Sequence, residues 1–517
     1  MLMAWMNKQG DFDMKKRDIK RILSIGMVTV MCAAVTACGE AGAGEAGTET
    51  AISEDTAVPT GEAPDGQAPN GEAPEGAPDG QAPDGQAPGN PPEGGAPDGQ
   101  APGNPPGGGF GGGSSSADID YTGAEEITSA DSQKDQTYAS TTADESALLI
   151  STSDDVTITN PTVTKTGDSD GGDNCNFYGL NAAVLVKDGS TTTITGGTVT
   201  SDADGANGVF SYGGNGGQNG ATGDGTKVII SDTKITTTGD GSGGIMTTGG
   251  GITEAYNLTV ETSGRSSAAI RTDRGGGTVT VDGGSYTTNG LGSPAIYSTA
   301  DITVSNATLT SNLSEGVCIE GINSITLNDC DMTANNTDTN GNATFYDTIM
   351  IYQSMSGDAD SGTSTFTMNG GSLTSKNGHV FHVTNTSAVI NLSGVKITNK
   401  DADNILLSVC ADGWTGDTNK ATLNADAQDL EGTILVGSDS ELTLNLTNGS
   451  SFTGSIGGNI TNAKGDTVST EVGTVAVSID KDSTWTLTAD TYITSFDGDI
   501  SSVNTNGYTL YVNGVAM

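Results

Sequence analysis

Residues 278–333 read TVTVDGGSYTTNGLGSPAIYSTADITVSNATLTSNLSEGVCIEGINSITLNDCDMT. One phrase occurs three times: two alternating apolar residues, a short polar break, one more apolar residue, then Thr. Val281 leads to Tyr286, Val304 to Leu309 and Leu327 to Met332, with 23 residues from each anchor to the next. Period-2 alternation inside a repeat of this length predicts short strands stacked turn upon turn. No single turn can bury its own inner face, so its neighbours must cover it. The predicted fold is all-β, a right-handed parallel β-helix.

The same phrase continues on both sides. ITNPTVT starts at Ile158, ITGGTVT at Ile194, ISDTKIT at Ile230, MNGGSLT at Met368 and LSGVKIT at Leu392. Longer spacings place insertions at 213–225, 336–345 and 354–363, polar segments that belong on the outside. Roughly a dozen turns at about 4.8 Å each predict a rod near 60 Å long.

A second strand precedes each anchor phrase. Taking Val184, Val209, Ile245, Ile270, Ile296, Val317 and Ile349 as the inward column sends the next residue outward. That outward column is Leu185, Phe210, Met246, Arg271, Tyr297, Cys318 and Met350. Two residues on, Tyr212, Asp273, Glu320 and Tyr352 face the same way. Phe210, Tyr212, Tyr297 and Tyr352, interleaved with Arg271, Asp273 and Glu320, form an aromatic track suited to the C–H faces of sugar rings. Exposed apolar patches of this kind mark binding surfaces. Covered by the insertions or by residues 116–150, the same stripe would be a second small core.

The N-terminal third has a different character. From Met14, the better start, a basic run (Lys15, Lys16, Arg17, Lys20, Arg21) precedes a short apolar stretch, the pattern of an export signal over residues 1–37. Val35-Thr36-Ala37-Cys38 resembles the lipobox of bacterial lipoproteins, a likeness that implies lipidation of Cys38 and attachment to a membrane. Residues 38–115 repeat APDGQ and GQAPGNPP, a composition that buries no core and predicts a disordered tether. About 75 such residues span roughly 50 Å as a coil and 230 Å fully extended. Residues 116–150 are expected to cap the first turn of a β-helix over 151–517. These features together predict the extracellular face of a bacterial membrane, with the domain projecting into or through a cell wall.

The formal charge is −44, and without residues 1–37 the chain carries 14 basic against 61 acidic groups. That field repels nucleic acid and anionic lipid and favours cations, calcium included. Asp168, Asp170 and Asp173 have a spacing that superficially suggests a calcium loop but lack the terminal Glu of an EF-hand. Arg271 and Asp273, on one strand face, are the strongest catalytic candidates, as base and partner in a calcium-assisted polysaccharide lyase. His379 and His382, the only histidines, fall on opposite faces of a regular strand. Cys175, Cys318, Cys330 and Cys410 lack metal-ligand spacing, and a Cys318–Cys330 bridge is left open.

The ITVSNATLT-type rungs over roughly 150–500 resemble the surface-exposed right-handed β-helix proteins of the pectate-lyase-like fold. That resemblance implies polysaccharide lyases, polygalacturonases, adhesins or non-catalytic carbohydrate-binding domains as relatives. The NTD, paired-Asp, GHG and RIK motifs of polygalacturonases have no matching set here. The expected role is therefore that of a monomeric cell-surface adhesin or carbohydrate-binding protein, whose partner is a polysaccharide or the surface glycan of a host or neighbouring cell. A passive surface protein is the other non-enzymatic reading.

Overall fold

The computed structural model describes residues 119–169, 171–215 and 222–517. The signal segment, Cys38 and the Pro/Gly-rich stretch lie outside the described residues. The anchors stack as expected: Val281 pairs in register with Val304, and Val304 with Leu327, in parallel strands. Val281, Val304, Leu327, Tyr286, Leu309 and Met332 are all buried in one continuous interior cluster. The chain is a right-handed parallel β-helix.

Three faces enclose that interior. Face I is a sheet of thirteen strands running from Glu126–Ile127 through Val184–Lys187 and Val317–Glu320 to Ile456–Gly457. At about 4.8 Å per strand it is about 58 Å long. Face II carries the first half of each phrase, such as Asp301–Ser305, and face III the second half, such as Thr308–Ser311. Within residues 119–150 the solenoid already begins: Asp131–Lys134 and Thr137–Ser140 pair with Val156–Thr159 and Thr162–Lys165.

The polar break between faces II and III has a backbone cause. The chain turns there through a left-handed residue, occupied by Asn160, Asp232, Asn257, Asn306, Asp329 and Asn448, and elsewhere by Gly196, Gly370 and Gly394. Asn, Asp and Gly tolerate positive φ where a branched side chain is penalised. Adjacent corners are also bonded: Asn306 Nδ2 donates to Asp282 Oδ1 at 2.7 Å, and Asn257 Nδ2 to Asp232 Oδ1 at 2.7 Å.

The four described cysteines are buried. Cys318 sits on the outward side of face I, while Cys330 belongs to the interior cluster, so the sheet separates them. Among the described residues, no helix is long and apolar enough to cross a membrane.

Candidate functional site

The outward column of face I assembles as its spacing predicts. Phe210 pairs with Met246, Met246 with Arg271, Arg271 with Tyr297, Tyr297 with Cys318, and Cys318 with Met350. It is not an open track. Relative exposure is 0% at Phe210, 2% at Tyr212, 4% at Arg271 and Asp273, 8% at Tyr297, 0% at Glu320 and 4% at Tyr352. The expectation of an exposed aromatic surface is corrected: the insertions fold back over face I and make a second core.

The cover has three parts. The short helix Asp173–Phe177 and Tyr178 lie over the N-terminal part, packing with Leu185, Phe210, Tyr212 and Met246. Tyr178 meets Tyr212 edge-on, with centroids 5.8 Å apart, and Thr248 Oγ1 donates to the Phe177 carbonyl at 2.7 Å. Further along, Trp414 packs on Tyr352 at 4.8 Å, beside Tyr297, Cys318, Ala343 and Met350. Phe345, Cys410 and Ile460 close the far end. Each large apolar side chain covered this way contributes roughly 1.5–3 kcal/mol, which explains why polar insertions carry isolated aromatic residues.

A charged layer lies between the aromatic ones. Arg271 Nη2 donates to Asp273 Oδ2 at 2.8 Å, and Nη1 donates to Asn176 Oδ1 at 2.9 Å and to the Ser266 carbonyl at 3.0 Å. Arg274 pairs with Asp358 at 2.7 Å and stacks over Phe177 at 4.2 Å, tying the 354–363 insertion to the helix. Glu320 accepts from Tyr297 Oη at 2.6 Å, Tyr352 Oη at 3.0 Å and Ser354 Oγ. Burial pushes the Asp273 carboxyl up to about 6; Arg271 opposes the shift and Asp358 adds to it. The Arg271–Asp273 pair is covered and saturated, with neither group presented to a polymer.

The histidines depart from expectation. Both Nδ1 atoms lie 2.7 Å from Ser408 Oγ, and His382 Nε2 faces Asp412 Oδ2 at 3.5 Å. Val380 and Phe381 both enter the interior cluster, so strict alternation slips between them and returns His379 to the side of His382. The Phe345 ring covers both imidazoles, at 5.4 and 4.6 Å. Burial holds His379 down to about 3, with the neighbouring His382 acting in the same direction.

Asp168 Oδ1 accepts from the Asp204 amide at 3.0 Å, Asp173 is exposed at the start of the short helix, and Asp170 lies outside the described residues. Among the described residues, no group of three or more His, Cys, Asp or Glu side chains is placed to hold a metal ion.

The open site lies on face III, at a position that sequence reading missed. The sheet runs without interruption to Lys396–Asn399, but the next strand, Asp429–Glu431, pairs only onward with Ser451–Thr453. Between them is a cleft of about 770 Å³, lined by Lys396, Asn399, Asn404, Asp429, Glu431 and Thr453 over an apolar floor of Ile397 and Leu430. Gln428 causes the break. Other turns continue the ladder with a backbone bond, as from Lys396 N to the Gly371 carbonyl at 3.0 Å. At this turn Gln428 Nε2 donates to the Val395 carbonyl at 2.8 Å and Oε1 accepts from Val395 N at 2.7 Å. A side-chain amide thus occupies the place of the ladder bond and wedges the two turns apart. No family model, curated protein or solved structure matches the chain.

Proposed function

We propose that this protein is a lipid-anchored, extracellular binding protein whose β-helix takes a carbohydrate chain into the cleft between Lys396–Asn399 and Asp429–Glu431. The observation that carries this reading is the cleft: about 770 Å³, polar at its rim and apolar at its floor. Ligand sites run from roughly 300 to 1,000 Å³. Alternating hydroxyl and C–H surfaces of a sugar match carboxylate and amide groups above Ile397 and Leu430. An extended peptide completing the sheet fits less well. An inserted strand needs flanking strands about 9.6 Å apart, whereas Cα atoms of these two come within 8 Å. A lyase centred on Arg271 and Asp273 is disfavoured by their burial in the covered layer.

Glycan-array screening followed by calorimetry tests the proposal. An Asp429→Ala/Glu431→Ala double variant is expected to bind the selected glycan at least about tenfold more weakly, roughly 1.4 kcal/mol. Undiminished binding moves the site elsewhere on the rod, and no binding to any glycan favours the passive surface role.

A further inference from the structure

Beneath the 336–345 insertion, two carboxyl groups are buried in neighbouring turns; on its other side Asp347 pairs in register with His379, whose ring is engaged by Ser408. Val317 pairs with Ile349, and Gly316 N donates to the Thr348 carbonyl at 2.8 Å, which sets Glu315 opposite Asp347 in neighbouring turns. Glu315 is 6% exposed and Asp347 1%. Ser314 and Asn336 face Glu315; Glu315 itself and Asp412 face Asp347. Asp412 is already engaged, accepting from Thr344 Oγ1 at 2.6 Å and facing His382. Burying one unpaired carboxylate is costly, and two in adjacent turns repel each other as well.

A second, independent observation concerns neutral oxygens. Asn336 is 1% exposed, and its side chain reaches Glu315 while its Oδ1 is left without a hydrogen bond. Asp347 Oδ1 and Thr348 Oγ1 are also buried without a partner. Unpartnered buried polar atoms beside two carboxyls leave a charge that a bound cation or a shared proton would balance. The donors are hard oxygens: two carboxylates, a side-chain amide and the Ser314 hydroxyl, which itself donates to Glu315.

We propose that Glu315, Asp347 and Asn336 bind one divalent cation of the calcium class and pin the 336–345 insertion over face I. Only two acidic groups are involved, so amide and hydroxyl oxygens complete the shell, as calcium permits. The site is separate from the Asp168–Asp173 segment and from the cleft, and does not rest on the carbohydrate reading.

The full chain, stripped with chelator, is titrated with calcium and with magnesium while bound metal and Tm are measured. Wild type is expected to retain one equivalent of calcium and to gain about 3 °C in Tm at a hundredfold excess over Kd. Asp347→Asn removes one of the facing charges at constant shape. It is expected to lose the tightly held equivalent and the Tm response, and in chelator to melt above wild type. If Asp347→Asn does not fold, Asn336→Ala serves as the second variant, with weakened calcium retention expected. Two results overturn the site: no retained metal with no calcium response, or a response undiminished in the variants, as the acidic surface alone would produce. A shared proton is the remaining alternative. In that case wild type in chelator loses stability as pH rises, because the raised carboxyls give up their proton, and calcium changes nothing; this too overturns the metal site.

Discussion

Replacing Arg271 by alanine is expected to destabilise the β-helix by about 3–5 kcal/mol at pH 7, the loss typical when one partner of a buried ion pair is removed. Three hydrogen bonds disappear together, to Asp273, Asn176 and Ser266. The larger part of the effect comes from Asp273, left at 4% exposure without its cation and forced toward the neutral form in the fold. The pH dependence identifies that cause. The Asp273 carboxyl stands at about 6 in the fold, above the ordinary value near 4, chiefly through burial. A raised acid contributes stability that is present at low pH and lost as pH rises through its folded pKa. Arg271 opposes the rise, so its removal lifts the carboxyl further and leaves the group neutral at pH 4. Denaturant midpoints should therefore separate variant from wild type widely at pH 7 and much less near pH 4. An Arg271→Leu/Asp273→Asn double variant should recover most of the loss. A pH-independent deficit would assign the effect to lost packing against Asn176 and the helix instead.

The fold was legible because one constraint repeats. Interior ladders need an apolar residue at every second position, and corners need Asn, Asp or Gly, so each turn writes the same phrase. Pairings such as Val281–Val304–Leu327 and Phe210–Met246–Arg271–Tyr297 follow from alignment of those phrases alone. Exposure of the outward column was not legible in the same way. Whether Phe210 and Tyr352 meet solvent depends on Phe177, Tyr178 and Trp414, aromatic residues in polar segments with no periodicity to place them. Their presence was the available signal: a solvated loop has little reason to hold a Trp. Histidine placement failed for a local reason, since Val380 and Phe381 both turn inward and shift the alternation by one.

The cleft was harder still, because its cause is one residue of unexceptional type. The corner after the left-handed residue is occupied by small or apolar side chains in most turns, including Pro161, Gly197, Ala307, Gly371 and Val395. Gln136 and Thr233 also stand at this corner, Gln136 turning its amide to the Lys134 carbonyl at 2.8 Å, and what sets Gln428 apart is that its amide reaches back one turn. The corners that follow show the alternative. Ser450 and Ser483 occupy the same position with the backbone ladder intact, Ser451 N donating to the Gln428 carbonyl at 3.0 Å and Thr484 N to the Ser450 carbonyl at 3.0 Å. Their hydroxyls accept from the preceding turn, from Gln428 N and from Ser450 N.

Two substitutions at Gln428 should therefore differ sharply in their effect on stability. Gln428→Leu keeps the bulk that separates the turns but removes every side-chain bond. It strands Val395 N, the Val395 carbonyl and one bond to the Asp429 carbonyl, which Gln428 Nε2 reaches at 2.7 Å. At about 1–3 kcal/mol for each buried group left unpaired, the expected loss is about 3–6 kcal/mol. Gln428→Ser takes the residue of the next two corners and lets Asp429 N close onto the Val395 carbonyl. Stability should change by less than about 1 kcal/mol, while the gap between Lys396–Asn399 and Asp429–Glu431 disappears and carbohydrate binding disappears with it. Binding and denaturation measured on both variants separate the wedge from simple packing. A serine variant that stays folded and binds normally would mean that the ligand site does not depend on the break in face III.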